Sequence, residues 1–243
     1  MLRFAPQSQP WPLSTLSEMN ECTLEDYELD STDVSMLDVS DSRYIAMSYS
    51  WGEPTFDAPL IIQVNGERTV LAITESACEA VQRTLPAMNL GNKCMWIDEI
   101  CISQHDTREQ EQQVSLMGES YRRCWHCMIW LGFADAHTDA AFKLLWKLQK
   151  CYKHTKPMPL NERQIADLSH SQIRAELASK VGADVLPIAS DPGWEAVARL
   201  LGREWLSRLW TFQEAALCYK GDASVRCGLH NIPFITLLRH QCY

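Results

Sequence analysis

No run of apolar residues in this 243-residue chain approaches the roughly 18 needed to cross a bilayer, so neither a spanning helix nor a membrane partner is expected. The opening MLRFAPQSQPWPLS lacks the apolar core of a signal peptide, and a cytoplasmic protein is the expectation. There is no block of Lys or Arg, which sets nucleic acid aside as the main ligand. Cys124-Trp125-His126-Cys127 is a CxxC without a second one to complete a zinc site. It also falls at the end of a helical pattern rather than at a helix N-terminus, where the dipole would favour a thiolate. The ten cysteines are therefore read as reduced, mostly buried thiols, with no metal and no cofactor.

Positive charge is missing from one stretch in particular. Between Glu18 and Asp41 there are nine of the chain's 31 acids and no Lys or Arg, leaving 22 acids against 22 bases elsewhere. Residues 1–42 are read as an acidic, solvated lead-in to a neutral body.

The body is organised around Lys93 to Gly132, KCMWIDEICISQHDTREQEQQVSLMGESYRRCWHCMIWLG. Cys94-Met95-Trp96-Ile97 is a short apolar run that ends at Asp98, the pattern of a buried strand. Thr107 to Arg122 is rich in helix formers, with Val114, Met117 and Tyr121 spaced to share a packing face. Met128 to Leu131 is a second buried run, closed by Gly132. Strand, helix and strand imply a parallel sheet with a right-handed crossover, and ligands of such sheets lie beyond the carboxyl ends of the strands. The loop that starts at Asp98 and Glu99 is accordingly a candidate site.

Other elements flank this unit. Tyr44 to Tyr49 reads as the first core strand and runs into the turn signal Trp51-Gly52-Glu53-Pro54; a glycine there lets backbone approach a ligand. Leu60 to Leu71 reads as a hairpin about Asn65-Gly66, and Thr74 as the cap of the following helix, with Ala77, Ala80, Val81 and Leu85 inward. Residues 133–192 hold two helical stretches, Asp139 to Tyr152 and Asn161 to Val181, read as an insertion whose His137, His154 and His170 are solvent-exposed. Trp205, Leu209, Phe212 and Ala216 share one face of a helix at ~100° per residue. Glu214 lies roughly 150° from the centre of that stripe, beside Trp210 one turn earlier and at the margin of the buried face, where substitution should cost within about 0.5 kcal/mol.

Taken together the motifs resemble the fungal heterokaryon-incompatibility (HET) domain. The blocks are YIAMSYSWG (Tyr44 to Gly52), WIDEICISQ (Trp96 to Gln104) with Asp106, Glu109, Gln113 and Val114, IWLG (Ile129 to Gly132), RLWTFQE (Arg208 to Glu214) and Cys227-Gly228. Ser103 and Gln110 depart from the residues usual there, Asn and Arg. HET domains in turn resemble TIR domains, which implies an α/β, TIR-like (flavodoxin-like) parallel sheet with helices on both faces. Domain limits follow at 1–42 for the lead-in and 43–243 for the domain and its insertion.

In the TIR resemblance, SRLWTFQE (Ser207 to Glu214) matches a helix motif whose Glu is the catalytic residue of NAD+ cleavage. It implies Glu214 as catalytic, with Tyr49, Ser50, Trp51, Gly52, Asp98, Arg208 and Trp210 binding NAD+ as substrate. The resemblance also implies a homo-oligomer, an upstream incompatibility receptor as a further partner, and programmed cell death as the outcome. A non-enzymatic death-signalling module that works by homotypic assembly is the alternative, and a structural domain of a larger incompatibility protein a third reading.

Overall fold

The computed structural model describes residues 2–4, 22–24, 44–64, 67–84, 94–155, 175, 178–179, 182, 186–218 and 223–238. The chain divides into two units, residues 1–133 with 204–235 and residues 134–203 with 236–243.

Among the described residues the first unit carries a nine-stranded sheet. Its strands are β1 (Leu2–Phe4), β2 (Cys22–Leu24), β3 (Tyr44–Tyr49), β4 (Phe56–Val64), β5 (Glu67–Thr74), β6 (Cys94–Trp96), β7 (His126–Trp130), β8 (Ala223–Cys227) and β9 (His230–Pro233), in the spatial order β5-β4-β2-β1-β6-β3-β7-β8-β9. At its centre β6, β3, β7 and β8 run parallel. Counted along the chain these four stand second, first, third, fourth, the order of flavodoxin-like sheets, with the switch point between β3 and β7. The three apolar runs read as inner strands are all here, β7 beginning two residues before Met128. The outer pairings β1·β2, β1·β6, β4·β5 and β8·β9 are antiparallel, and β2·β4 is parallel. Strands β1 and β2 come from the segment read as a lead-in; the rest of residues 1–42 lies outside the described residues, as does Asn65-Gly66 between β4 and β5.

Helices cover both faces. On one, α1 (Glu75–Thr84) buries Ala77, Ala80 and Val81 against Ile45, Met47, Met95 and Met128. Thr74 caps it, its Oγ1 accepting from the Ala77 amide at 3.2 Å; Leu85 lies outside the described residues. On the other face lies α3 (Thr107–Arg123), which follows the short α2 (Asp98–Cys101). Tyr44 donates to the Ser120 carbonyl and Tyr121 to the Met47 carbonyl, so α3 is tied to β3 from both sides. Only its C-terminal half is packed. Val114, expected on the buried face, is 63% exposed, because the contacts fall further along, at Gly118, which lies against Leu217, and at Ser120 and Tyr121.

The second unit pairs α4 (Thr138–Thr155) with α5 (Gly193–Leu201). Its core holds Phe142, Leu144, Leu145, Val197 and Leu200. A Cβ on Gly193 would lie 2.9 Å from the Leu144 Cβ, so the helices approach through that glycine. Asp191 accepts from the Gly193 amide and from Lys147. His137 is exposed; the side chains of His154 and His170, and most of Asn161 to Val181, lie outside the described residues.

Candidate active site

Successive side chains of a strand point to opposite faces. At the carboxyl end of β3 this sends Ser48 and Tyr49 in different directions, each to a different glutamate. Ser48 is 1% exposed. Its Oγ accepts from Trp205 Nε1 at 2.7 Å and donates to Glu214 Oε2 at 2.6 Å. Tyr49 donates to Glu99 Oε2 at 2.6 Å on the α1 face.

Glu214 reaches Ser48 because the helical run expected from Trp205 to Leu217 is broken. Trp205 belongs to α6 (Glu204–Ser207), Arg208 is extended, and Glu214 belongs to α7 (Leu209–Leu217). Thr211 Oγ1 sits on the break, 2.6 Å from the Trp205 carbonyl and 2.8 Å from that of Arg208. Among the described side chains of α7 and its cap the buried ones are Thr211, Ala215 and Cys218, while Ala216, expected inside, is exposed; the side chains of Leu209 and Phe212 lie outside the described residues. A stripe through those three places Glu214 only about 70° from its centre. The glutamate is therefore half-buried and hydrogen-bonded, not a surface residue whose replacement is nearly neutral.

Burial dominates its electrostatics and raises the Glu214 carboxyl to about 7. Donation by Ser48 and by Tyr121 works in the other direction, Asp98 raises it further, and Arg208 lowers it. Asp98, the first residue of α2, is raised to about 6, again chiefly by burial. The Glu99 amide (2.8 Å) and Trp51 Nε1 (3.1 Å) donate to it and oppose the rise, while the Glu99 charge adds to it and Arg208 lowers it. Glu214 and Asp98 thus lie within each other's field, and the exposed Arg208 acts on both.

The loop after β3 completes this end of the sheet. Trp51 is half-buried and meets Phe56 edge-on at 6.4 Å between ring centres. Gly52 has φ +68°, and a Cβ there would stand 3.2 Å from Ser76 Oγ at the start of α1; its left-handed backbone is one that other residues rarely adopt. Ser50 Oγ is buried with no hydrogen-bond partner among the described residues, which is rare for a hydroxyl unless a further group serves it.

Of the residues expected to form the site, Glu214, Asp98 and Arg208 are joined electrostatically, and Trp51 is joined to Asp98. Ser50 and Gly52 lie on the adjoining loop. Tyr49 is committed to Glu99 on the other face, and the Trp210 side chain lies outside the described residues. Sequence reasoning left out Ser48, Trp205 and Tyr121, the partners of Glu214. The available signal was a serine next to the carboxyl end of an otherwise apolar strand.

The motif residues beyond Asp98 brace its loop. Asp106 caps α3, its Oδ1 accepting from the Arg108 and Glu109 amides at 2.9 and 3.1 Å. Ser103 donates its amide to Glu109. Gln104 Nε2 reaches the carbonyls of Asp98, Glu99 and Ile102, and Gln110 Nε2 in turn holds Gln104. Cys124 and Cys127 are buried free thiols. The Cys218 thiol, 3.7 Å from that of Cys124, and burial push Cys124 up, away from the reactive thiolate.

Residues 44–214 match the family model described as heterokaryon incompatibility protein (HET). "Heterokaryon incompatibility protein 6, OR allele" of Neurospora crassa is 28% identical to this chain over 198 residues, which are 76% of this chain and 28% of that protein. The chain thus spans less than a third of that relative's length. No solved structure matches it.

Proposed function

The chain belongs to the heterokaryon incompatibility (HET) family, and from that premise we propose that it acts in fungal heterokaryon incompatibility by cleaving NAD+ at the nicotinamide–ribose bond in the cytoplasm. One observation carries the reading. A half-buried carboxyl, Glu214, is held by Ser48 at the carboxyl end of the first parallel strand, beside the switch point of the sheet. A carboxyl raised to about 7 in such a place is a functional-site signal.

The chemistry suits a single carboxylate. Nicotinamide is a cationic ring while bonded to the ribose and departs neutral with the bonding electron pair, so no general acid is required, unlike the two-carboxylate hydrolysis of O-glycosides. Water adds to the ribosyl carbon and gives up its proton. Ionised Glu214 faces the developing oxocarbenium charge and stabilises it. The unpartnered Ser50 hydroxyl and Asp98 take the ribose hydroxyls, Gly52 brings its backbone to the ligand, Arg208 meets the diphosphate, and Trp51 or Trp210 stacks on an aromatic ring. The test is nicotinamide release from NAD+ by purified protein. No release at any protein concentration or pH between 6 and 9 overturns the reading.

A second reading, a signalling module that works by homotypic assembly without chemistry, is favoured by the exposed apolar Val114 and Leu116 on α3. The two readings meet if assembly completes the site. In that case the rate per molecule rises with protein concentration, and a rate constant across a wide dilution series excludes it.

A further inference from the structure

Ser48 occupies an unusual position for a buried hydroxyl, because both of its neighbours constrain its one proton. An indole N–H can only donate, so the 2.7 Å contact with Trp205 makes Ser48 Oγ the acceptor. Its own proton then points to Glu214 Oε2 at 2.6 Å. A protonated Glu214 that donated to Ser48 would leave the serine proton without an acceptor in a residue 1% exposed, a costly arrangement. Trp205 cannot turn away: it is 1% exposed and packs edge-on against Phe234 at 5.7 Å.

We propose that Ser48 and Trp205 are positioning residues for Glu214: the indole fixes the direction of the serine hydroxyl, and the hydroxyl fixes the carboxylate and favours its ionised form. The inference deepens the NAD+-cleaving reading and rests on it for its catalytic meaning. Neither residue touches substrate; both act through Glu214. The other groups that bear on Glu214 come from several elements: Asp98 of α2, Tyr121 of α3, Arg208 ahead of α7, Tyr49 of β3 and Cys127 of β7. Among them Tyr121 is the other hydrogen-bond donor, and its hydroxyl also lies 3.1 Å from the Met47 carbonyl. Ser48 is thus the donor to Glu214 whose proton has no competing acceptor among the described residues.

The experiment is a carbon-13 NMR titration of the glutamate side-chain carboxyls, with the Glu214 signal assigned by its loss in Glu214→Gln. Ser48→Ala should move the Glu214 midpoint up from about 7 by about one pH unit. Trp205→Phe, which keeps the ring packing and removes the N–H, should move it in the same direction by less. The acid limb of the NAD+ cleavage profile should shift in step, with kcat falling more than KM. A merely structural role predicts lower melting temperatures with the midpoint unmoved, and that result in the folded variants overturns the proposal. Should the wild-type protein cleave no NAD+, the functional reading fails, while the titration still decides whether Ser48 and Trp205 set the charge of Glu214.

Discussion

Two glutamates sit on opposite faces of the same strand end, and their surroundings differ. Glu99 is 4% exposed and receives three donors: the Thr74 amide at 2.5 Å, Thr74 Oγ1 at 2.7 Å and Tyr49 at 2.6 Å. They belong to β5 and β3, so its carboxyl ties the hairpin, the first core strand and α2 into one block. Glu214 is half-buried, and donation by Ser48, with the single Tyr121 proton shared with the Met47 carbonyl, does not offset the cost of burial, which raises its carboxyl to about 7. A carboxyl whose donors are complete has no capacity left for a ligand and acts as a fastening. One whose donors are incomplete, with an open side, can respond to a developing positive charge. Glu99 is the more deeply buried of the two and also the one with more donors.

The largest expected effect comes from removing the fastening. Glu99→Ala should lower stability by about 3–5 kcal/mol, since it strands buried donors and opens a cavity. Chemical denaturation measures it, and a loss below about 1 kcal/mol would show that Glu99 is not the structural partner in this pair. Glu214→Gln should do the reverse, cutting NAD+ turnover by about 10²–10³ with the fold retained. Its stability effect depends on pH. A carboxyl raised from 4.5 to about 7 contributes stability below pH 4.5 that is lost as pH rises through 7, roughly 3 kcal/mol in all. The amide does not titrate, so the variant should gain on the wild type by up to that amount between pH 4.5 and 8. A pH-independent difference would mean that Glu214 titrates as in the unfolded chain. Wild-type turnover should correspondingly rise through pH 7 as Glu214 ionises.

Much of this contrast is written in local patterns, and part is not. The strands β3, β6 and β7 are legible because parallel inner strands are buried on both faces and read as continuous apolar runs. Thr74 is legible as a helix cap because a threonine before a helical pattern has a local partner. Strand β8, Ala223–Cys227, is not, since Ser224 and Arg226 interrupt the apolar run and their burial depends on neighbours far away in sequence. The break at Arg208 was missed because the apolar spacing continues across it; what ends the helix is the Thr211 hydroxyl bound to the Trp205 carbonyl. That break turns Glu214 from the margin of a long helix's buried face to the flank of a short helix. Glu214 as a candidate came from the resemblance of its motif, whereas its partners Ser48 and Trp205, 157 residues apart, appear only in three dimensions. Val114 fits the helical period of α3 and is exposed all the same, because periodicity places a residue on a face without saying how far the packing extends along it.

The smallest expected effect tests where Asp98 belongs. It adjoins Glu99 in sequence and feels the Glu99 amide and charge, yet its side chain also accepts from Trp51, feels Arg208 and in turn raises Glu214. Trp51→Phe keeps an aromatic ring beside Phe56 and removes only the N–H that reaches Asp98. If Asp98 belongs to the open side, losing that donor raises its carboxyl from about 6 by under one pH unit, since a single partly exposed hydrogen bond is worth about 1 kcal/mol. Turnover should then fall about two- to threefold at pH 6, where the change alters how much Asp98 is ionised. By pH 8, where Asp98 is ionised in both proteins, the two rates should converge, with stability changed by about 1 kcal/mol or less. If Asp98 instead belongs with the Glu99 fastening, the same substitution lowers the melting temperature and reduces turnover equally at both pH values. A ratio of wild-type to variant rate that is flat between pH 6 and 8 therefore moves Asp98 out of the site and leaves Glu214 as its one carboxylate.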